Sequence, residues 1–250
     1  MYFLAALLTL KAMESDRSPL QLADNDESIP SRQELRFKDV LLGEGQMTAA
    51  VLFSAARHAR IRLTCWSKAR DTPASVLQAL TSRSRIEFAR QCYAVESVDL
   101  TDPLWTGIST WTDLLNARHG VRMRFTFATP LVTADRERGT DSNVLPFPDP
   151  QTLFSSVLRH WRGLDGPPLP YAGEQMVQAA GCILSEYRLE TAESTTQAHP
   201  GFLGWVEYTC RAREIAAIAS LNALARLAFF TGSGYLTGLG MGTTAVTIAN

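Results

Sequence analysis

The sequence predicts an α+β protein built as two tandem ferredoxin-like (βαββαβ) domains, residues 1–118 and 119–250. Three observations carry this expectation. Residues 121–250 read as strand, helix, strand, strand, helix, strand, which is the split βαβ order. A glycine-rich stretch, Phe229 to Gly242 (FFTGSGYLTGLGMG), falls between the last helix and the last strand of that series. The first half reads as a less regular copy, in which the presence of an opening strand is open to question.

The first half justifies its elements unevenly. Residues 2–13 are rich in Leu and Ala and read as a helix, with a strand as the competing assignment. Residues 14–34 are polar and loop-like, with the acidic cluster Asp24, Asp26, Glu27. Leu35 to Leu42 alternates weakly and reads as a strand closed by Gly43. Residues 47–57 show no decisive period. Residues 59–66 alternate Ile61, Leu63, Cys65 against Arg60, Arg62, Thr64, a strand pattern. Asp71-Thr72-Pro73 opens a helix, with Val76, Leu77 and Leu80 on its apolar side. Residues 84–98 read as a strand with an irregularity. Residues 99–118 connect the halves, anchored by Trp105 and Trp111, with a short helix candidate at 112–118.

The second half is more regular. Val121 to Phe127 alternates apolar and polar, and Pro130 is expected to end its ladder. Asp149-Pro150 starts a helix whose Leu153, Phe154, Val157, Leu158 and Trp161 form one stripe. Residues 182–190 and Phe202–Cys210 read as strands. Glu214–Phe230 reads as a long helix, with Ile218, Leu221, Leu224 and Ala228 at helical spacing. A last strand follows at 243–249.

Composition bounds the function. The 250 residues can bury a sizeable core. Hydrophobic residues make up 46% and charged residues 20%, as in a soluble globular protein. The net charge of −1 points to no partner by itself, so any nucleic-acid binding must rest on a local patch. Cys65, Cys92, Cys182 and Cys210 contain no CxxC pair, so no zinc or redox motif is indicated. Buried free thiols in a reducing cytoplasm fit better, and no cofactor is expected. No run reaches the roughly 18 apolar residues of a membrane span. YFLAALLTL at 2–10 is short and has no basic residue before it, which argues against a signal peptide.

Two features point towards a polyanion. Gly232, Gly234, Gly238, Gly240 and Gly242 crowd one loop, where glycine permits positive φ and close approach to the main chain. Such a loop can offer backbone N–H groups to a phosphate; the alternative is a flexible connector. From Arg57 to Arg90 there are eight basic residues and two acidic ones. Strand-like segments in this run should bring some arginines onto one sheet face, as a nucleic-acid backbone would require. An ordinary solvated face is the competing reading.

Several stretches, in one order, resemble the CRISPR-associated endoribonuclease family that cuts precursor CRISPR RNA within its repeats, part of the repeat-associated mysterious protein superfamily. RFTFATPLVT resembles the family's strand ending in Thr-Pro. LPFPDPQTLFSSVLRHW resembles its proline-aspartate helix entry and the helix ending in Trp, GFLGWVEY its aromatic strand, and LNALARLAFFTGSGYLTGLGMG its last helix and signature glycine loop. In the first half the likeness is looser, chiefly RIRLTCWSKARDTPASVLQAL. The resemblance implies two ferredoxin-like domains that bind CRISPR repeat RNA, and an association with a multisubunit CRISPR effector complex. It implies metal-independent cleavage, in which the ribose 2′-OH attacks the adjacent phosphate and leaves a 2′,3′-cyclic phosphate.

Two departures qualify this. Family members often carry basic residues after the second glycine of the loop, where this chain has Tyr235 and Leu236. They also often place a catalytic histidine in the loop after the first helix, whereas residues 15–34 contain none. Of the four histidines, His58, flanked by Arg57 and Arg60, is the best candidate base. His119 reads as a turn residue, His160 as helix surface or an RNA contact, and His199 as part of a turn. Lys11 and Lys38 could add positive charge. The expected RNA contacts are Gly232, Gly234, Tyr235, Gly238, Gly240, Gly242, Arg60 and Arg62; Tyr235 would either stack on a base or pack. A non-catalytic RNA-binding subunit is the alternative function. An unrelated two-domain sensor is a distant third. If residues 2–13 are the first helix, an opening strand is missing and Met1 would be a late start.

Overall fold

The computed structural model describes residues 1–12, 46–55, 58–82, 85–88, 91–133, 147–171, 173, 175–193 and 200–250. The expected loop at 14–34 and strand at 35–42 lie outside them. The chain divides into two compact units, Met1–Ser109 and Thr110–Asn250.

The first unit is a sheet whose strands run in the order β2-β3-β1-β5-β4: β1 (Tyr2–Ala12), β2 (Gln46–Ala55), β3 (His58–Ser67), β4 (Arg85–Phe88) and β5 (Gln91–Asp99). A short β6 (Gly107–Thr110) also pairs with β1. Residues 2–12 therefore form the opening strand, not a helix, and the argument for a missing strand and a late start falls. β1 lies antiparallel between β3 and β5, with Leu8 opposite both Ile61 and Val98. Every residue from Phe3 to Leu8 is at most 1% exposed. A strand buried on both faces is apolar throughout and shows no alternation, so intrinsic propensity was misleading there.

The helix α1 (Thr72–Ser82) covers one face of this sheet. Its Val76 and Leu80 pack with Leu4, Ala6, Leu8, Leu10, Ile61, Leu63 and Cys65. The segment expected at 84–98 is two strands, β4 and β5, forming an antiparallel pair with Phe88 opposite Gln91. Residues 47–57, undecided by periodicity, supply β2, which pairs with β3 from Gln46 to Ala55.

The second unit has the strand order β10-β7-β9-β8, that is last, first, third, second, which is the ferredoxin-like arrangement. Its elements are α2 (Trp111–Asn116), β7 (Arg122–Leu131), α3 (Pro150–Gly163), α4 (Met176–Ala179), β8 (Cys182–Glu193), β9 (Pro200–Cys210), α5 (Ile215–Thr231) and β10 (Thr244–Ala249). Residues 110–118, expected at the end of the first domain, group with this unit because α2 packs on α5. A capping box between Thr110 and Asp113 starts α2. Asp149 caps α3 by accepting from Thr152 N at 3.0 Å, with Pro150 in the first turn, as the sequence predicts.

β7 continues through Pro130 to Leu131, although its pairing with β9 shifts register between Phe127 and Leu131. The proline lacks an N–H, so the regular ladder is interrupted without ending the strand. The core joins Phe125, Phe154 and Tyr208, whose ring centroids are 5.5–5.8 Å apart. Asn222, fully buried on α5, ties down the entry to β7: Gly120 N donates to its Oδ1 at 2.9 Å, and its Nδ2 donates to Gly120 O at 3.0 Å. Cys65, Cys182 and Cys210 are free and buried. No helix among the described residues is long and apolar enough to cross a membrane.

Candidate RNA-contacting sites

Each unit carries one cluster of the expected residues. In the first unit His58, Arg60 and Arg62 alternate with Ala59 and Ile61 on β3, so all three lie on the sheet face opposite α1. The expected alignment of basic residues on one face is present, but their environments differ. His58 is half exposed at the start of β3, opposite Lys11 of β1, with its Nε2 3.7 Å from Glu96 Oε1. Glu96 sits where the β1–β5 register shifts between Thr9 and Leu10. Arg60 reaches Asp99 and Asp102, each at 3.5 Å. The Asp99 carboxyl is held below its ordinary pKa, first by the Thr101 N–H and then by the Thr101 hydroxyl.

Arg62 is 2% exposed. Its Nε donates to Trp105 O at 2.9 Å, and its guanidinium lies 5.7 Å from the Trp105 ring centroid. Burial pulls its pKa down to about 9. Trp105 thus anchors the connection as expected, but it does so by covering an arginine expected to face a phosphate. Arg57, Arg83 and Arg90 lie outside the described residues.

The second cluster is the glycine loop, which leaves α5 at Gly232 and enters β10 at Thr244. Four of its five glycines, Gly232, Gly234, Gly240 and Gly242, have φ between 59° and 85°. Their amides are used inside the fold. Gly232 N donates to Ala228 O, Gly234 N to Ser156 Oγ, Gly240 N to Thr237 O and Gly242 N to Pro130 O, all at 2.9–3.0 Å. Tyr235 N donates to Val132 O at 2.7 Å. Thr129 fastens the far side, its Oγ1 donating to Gly240 O and accepting from Thr243 N. The end of β7 around the proline, from Thr129 to Val132 just past the strand, is therefore the dock for the loop.

Between these holds runs a 3-10 turn, Thr237–Leu239, entered through Leu236 in the left-handed region at φ 62°. The amides of Leu236, Thr237 and Gly238 precede the first bond of the turn, which Leu239 N makes to Leu236 O. These three take no hydrogen bond among the described residues. Gly238 is exposed, and a Cβ there would meet nothing within 4 Å. Most of the glycines thus serve the conformation of the loop, and its amides without a partner among the described residues are those of 236–238. Tyr235 is half-buried.

His160, left open by the sequence between helix surface and RNA contact, adjoins this loop: its Nε2 is 3.3 Å from Thr237 Oγ1. Burial, and then Arg159, hold its pKa below the ordinary histidine value. His119 lies at the entry to β7, where burial and then Arg226 lower its pKa. His199 is outside the described residues. No group of three metal-ligating side chains occurs among the described residues. The neighbourhood of His160 was not legible in the sequence, because 77 residues separate it from Thr237.

Residues 125–244 match the family model described as CRISPR-associated endoribonuclease Cas6. The matched span contains most of β7, the whole of α3, β8, β9 and α5, and the whole glycine loop. No curated protein sequence matches the chain. Among solved structures, a Cas6 product complex superposes with a TM-score of 0.72 at 20% identity, covering 99% of this chain and 100% of that one. The Cas6 of Thermus thermophilus superposes at 0.65 with 22% identity, covering 98% of each chain. A protein of the repeat-associated mysterious protein superfamily, described as binding different RNA substrates, superposes at 0.51 with 13% identity, covering 98% of this chain and 99% of that one. At these identities the likeness establishes the fold, across both units.

Proposed function

From the match of residues 125–244 to the family model of CRISPR-associated endoribonuclease Cas6, we propose that this chain belongs to that family and cuts precursor CRISPR RNA within its repeats without a metal ion. The observation that carries the reading is the glycine loop: it lies within the family-matched segment, is docked on β7, and leaves the amides of Leu236–Gly238 without a hydrogen bond among the described residues. Backbone donors of this kind suit a phosphate oxygen and cost no reorganisation when it binds. With Tyr235 and Leu236 where relatives often have basic residues, the loop holds RNA through its main chain and not through charge.

In the proposed reaction the 2′-oxygen attacks the adjacent phosphorus as a base takes its proton. The bond from phosphorus to the 5′-oxygen breaks, and that oxygen takes up a proton. The 5′ product ends in a 2′,3′-cyclic phosphate. His58 is the proposed base, since its ring is accessible and its Nε2 lies 3.7 Å from Glu96 Oε1. Arg60, half exposed, is the proposed cationic contact on the same sheet face. Buried Arg62 acts through structure instead. The three free buried thiols suit a reducing cytoplasm.

The absence of histidine from residues 15–34 favours one competing reading, a non-catalytic RNA-binding subunit of a CRISPR effector complex. One assay separates the two. The purified protein is incubated in EDTA with its repeat RNA and with the same RNA carrying 2′-deoxyribose at the scissile position. Cleavage of the ribose substrate alone supports the nuclease, and tight binding of both with no cleavage supports the subunit. His58→Ala should slow cleavage by about 10²-fold or more if His58 is the base. An unchanged rate removes it from that role.

A further inference from the structure

We infer that His160 is a positioning residue for the RNA-contacting edge of the glycine loop, acting through the Thr237 hydroxyl. The inference rests on the reading of that loop as an RNA contact. Ser156 and His160 are one turn apart on α3, so their side chains leave the same helix face. Ser156 Oγ accepts from Gly234 N at 3.0 Å, and His160 Nε2 lies 3.3 Å from Thr237 Oγ1. A 14-residue helix thus grips the loop at two points, on either side of Tyr235 and Leu236.

What lies at the second point is weakly built by itself. Thr237 begins a 3-10 turn of three residues, a length with little stability of its own. Leu236, just before it, bears the steric cost of the left-handed region. Gly238 and Gly240 within and after it widen the choice of backbone conformations. The three amides without a partner among the described residues belong to this segment; Gly240 N donates to Thr237 O within the turn, while the bonds of Gly234 and Gly242 flank it. The His160 contact is a side-chain hydrogen bond that ties the turn to α3.

The cost of placing His160 there is visible. Its Nδ1 is buried and takes no hydrogen bond, whereas an exposed helix position would leave both ring nitrogens to water. A ring kept with one nitrogen unsatisfied, and the other directed at the loop, fits a residue whose contact with Thr237 matters more than its own solvation.

The test compares wild type, His160→Ala, Thr237→Val, the double variant and Thr237→Ser, with two readouts. Hydrogen exchange of residues 232–243 is followed without RNA, and the Kd and single-turnover rate are measured with repeat RNA. Each single loss should speed exchange at Leu239 and Gly240, whose amides close the turn, and raise Kd about 3–10-fold, the worth of one hydrogen bond. The double variant should be no worse than either single variant, and Thr237→Ser should behave as wild type. Unchanged exchange and Kd in the single variants overturn the inference. So do additive effects in the double variant, or a Thr237→Ser protein that behaves like Thr237→Val. A wild-type protein that binds no repeat RNA overturns the underlying reading of the loop instead, and the exchange data then report only on the hold between His160 and Thr237.

Discussion

The two candidate regions are held in opposite ways. In the first unit, His58 and Arg60 stand half exposed on a sheet face, with carboxylates at 3.5–3.7 Å as their partners. Exposed contacts of this length contribute little stability, typically under about 1 kcal/mol. In the second unit the glycine loop is fastened by main-chain bonds of 2.7–3.0 Å to α5, β7 and α3. There the geometry belongs to the backbone, and side chains matter mostly where they tie it down. The chemistry of the first region should therefore be removable without unfolding it, whereas the second should lose fold and function together at most positions.

The largest effect that would sharpen this contrast is expected from Gly242→Ala. A Cβ there would run into the Ser233 carbonyl, and φ is 59°. The substitution should cost about 3 kcal/mol or more and lower Tm by roughly 10 °C. A Tm within a degree or two of wild type would show that the loop is not locked as described.

Next comes Arg62→Ala, which asks whether the buried arginine of the first unit is structural. It removes the donor to Trp105 O and opens a cavity, at a cost of about 2 kcal/mol in urea denaturation. Relief of the buried cation offsets part of that cost. The same burial predicts a pH signature. Burial lowers the folded pKa of Arg62 to about 9, well below the ordinary guanidinium value, so above pH 9 the unfolded chain binds more protons at this site. Its contribution is thus unfavourable below about pH 9 and is relieved as pH rises above that value. The stability difference between wild type and variant should widen over that range; a constant difference breaks the assignment.

The smallest effect on stability should come from Gly238→Ala, within about 0.5 kcal/mol, since its Cβ meets nothing. Its informative readout is repeat-RNA affinity. A loss of affinity without a change in Tm would mark 236–238 as the contacting edge and separate it from the locked glycines around it.

Legibility followed burial. The strands and helices of the second unit with one apolar face, such as Arg122–Leu131 and Pro150–Gly163, carry periods of 2 and 3.6 in plain view, and Asp149-Pro150 marks a helix start chemically. Tyr2–Ala12 failed as a helix because a central strand, buried on both faces, erases its own period. Val51 and Phe53 of β2 span a register shift, which breaks the alternation a strand would otherwise show. At the sites, the five glycines announced a special loop, and the arginines of β3 announced a common face. Nothing local distinguished Arg60, left half exposed, from Arg62, covered by Trp105 43 residues away.

By itself the sequence determined the order of elements in the second unit, the location of its glycine loop and the resemblance that both carry to one family. These are local properties, written in spacing and in residues that permit unusual backbone angles. Only the tertiary structure decided that residues 2–12 are a strand, that most of the loop amides are already bound, and that His160 reaches Thr237. Each of these depends on which distant segment arrives alongside, and pairing between segments tens of residues apart leaves no periodic trace in either one.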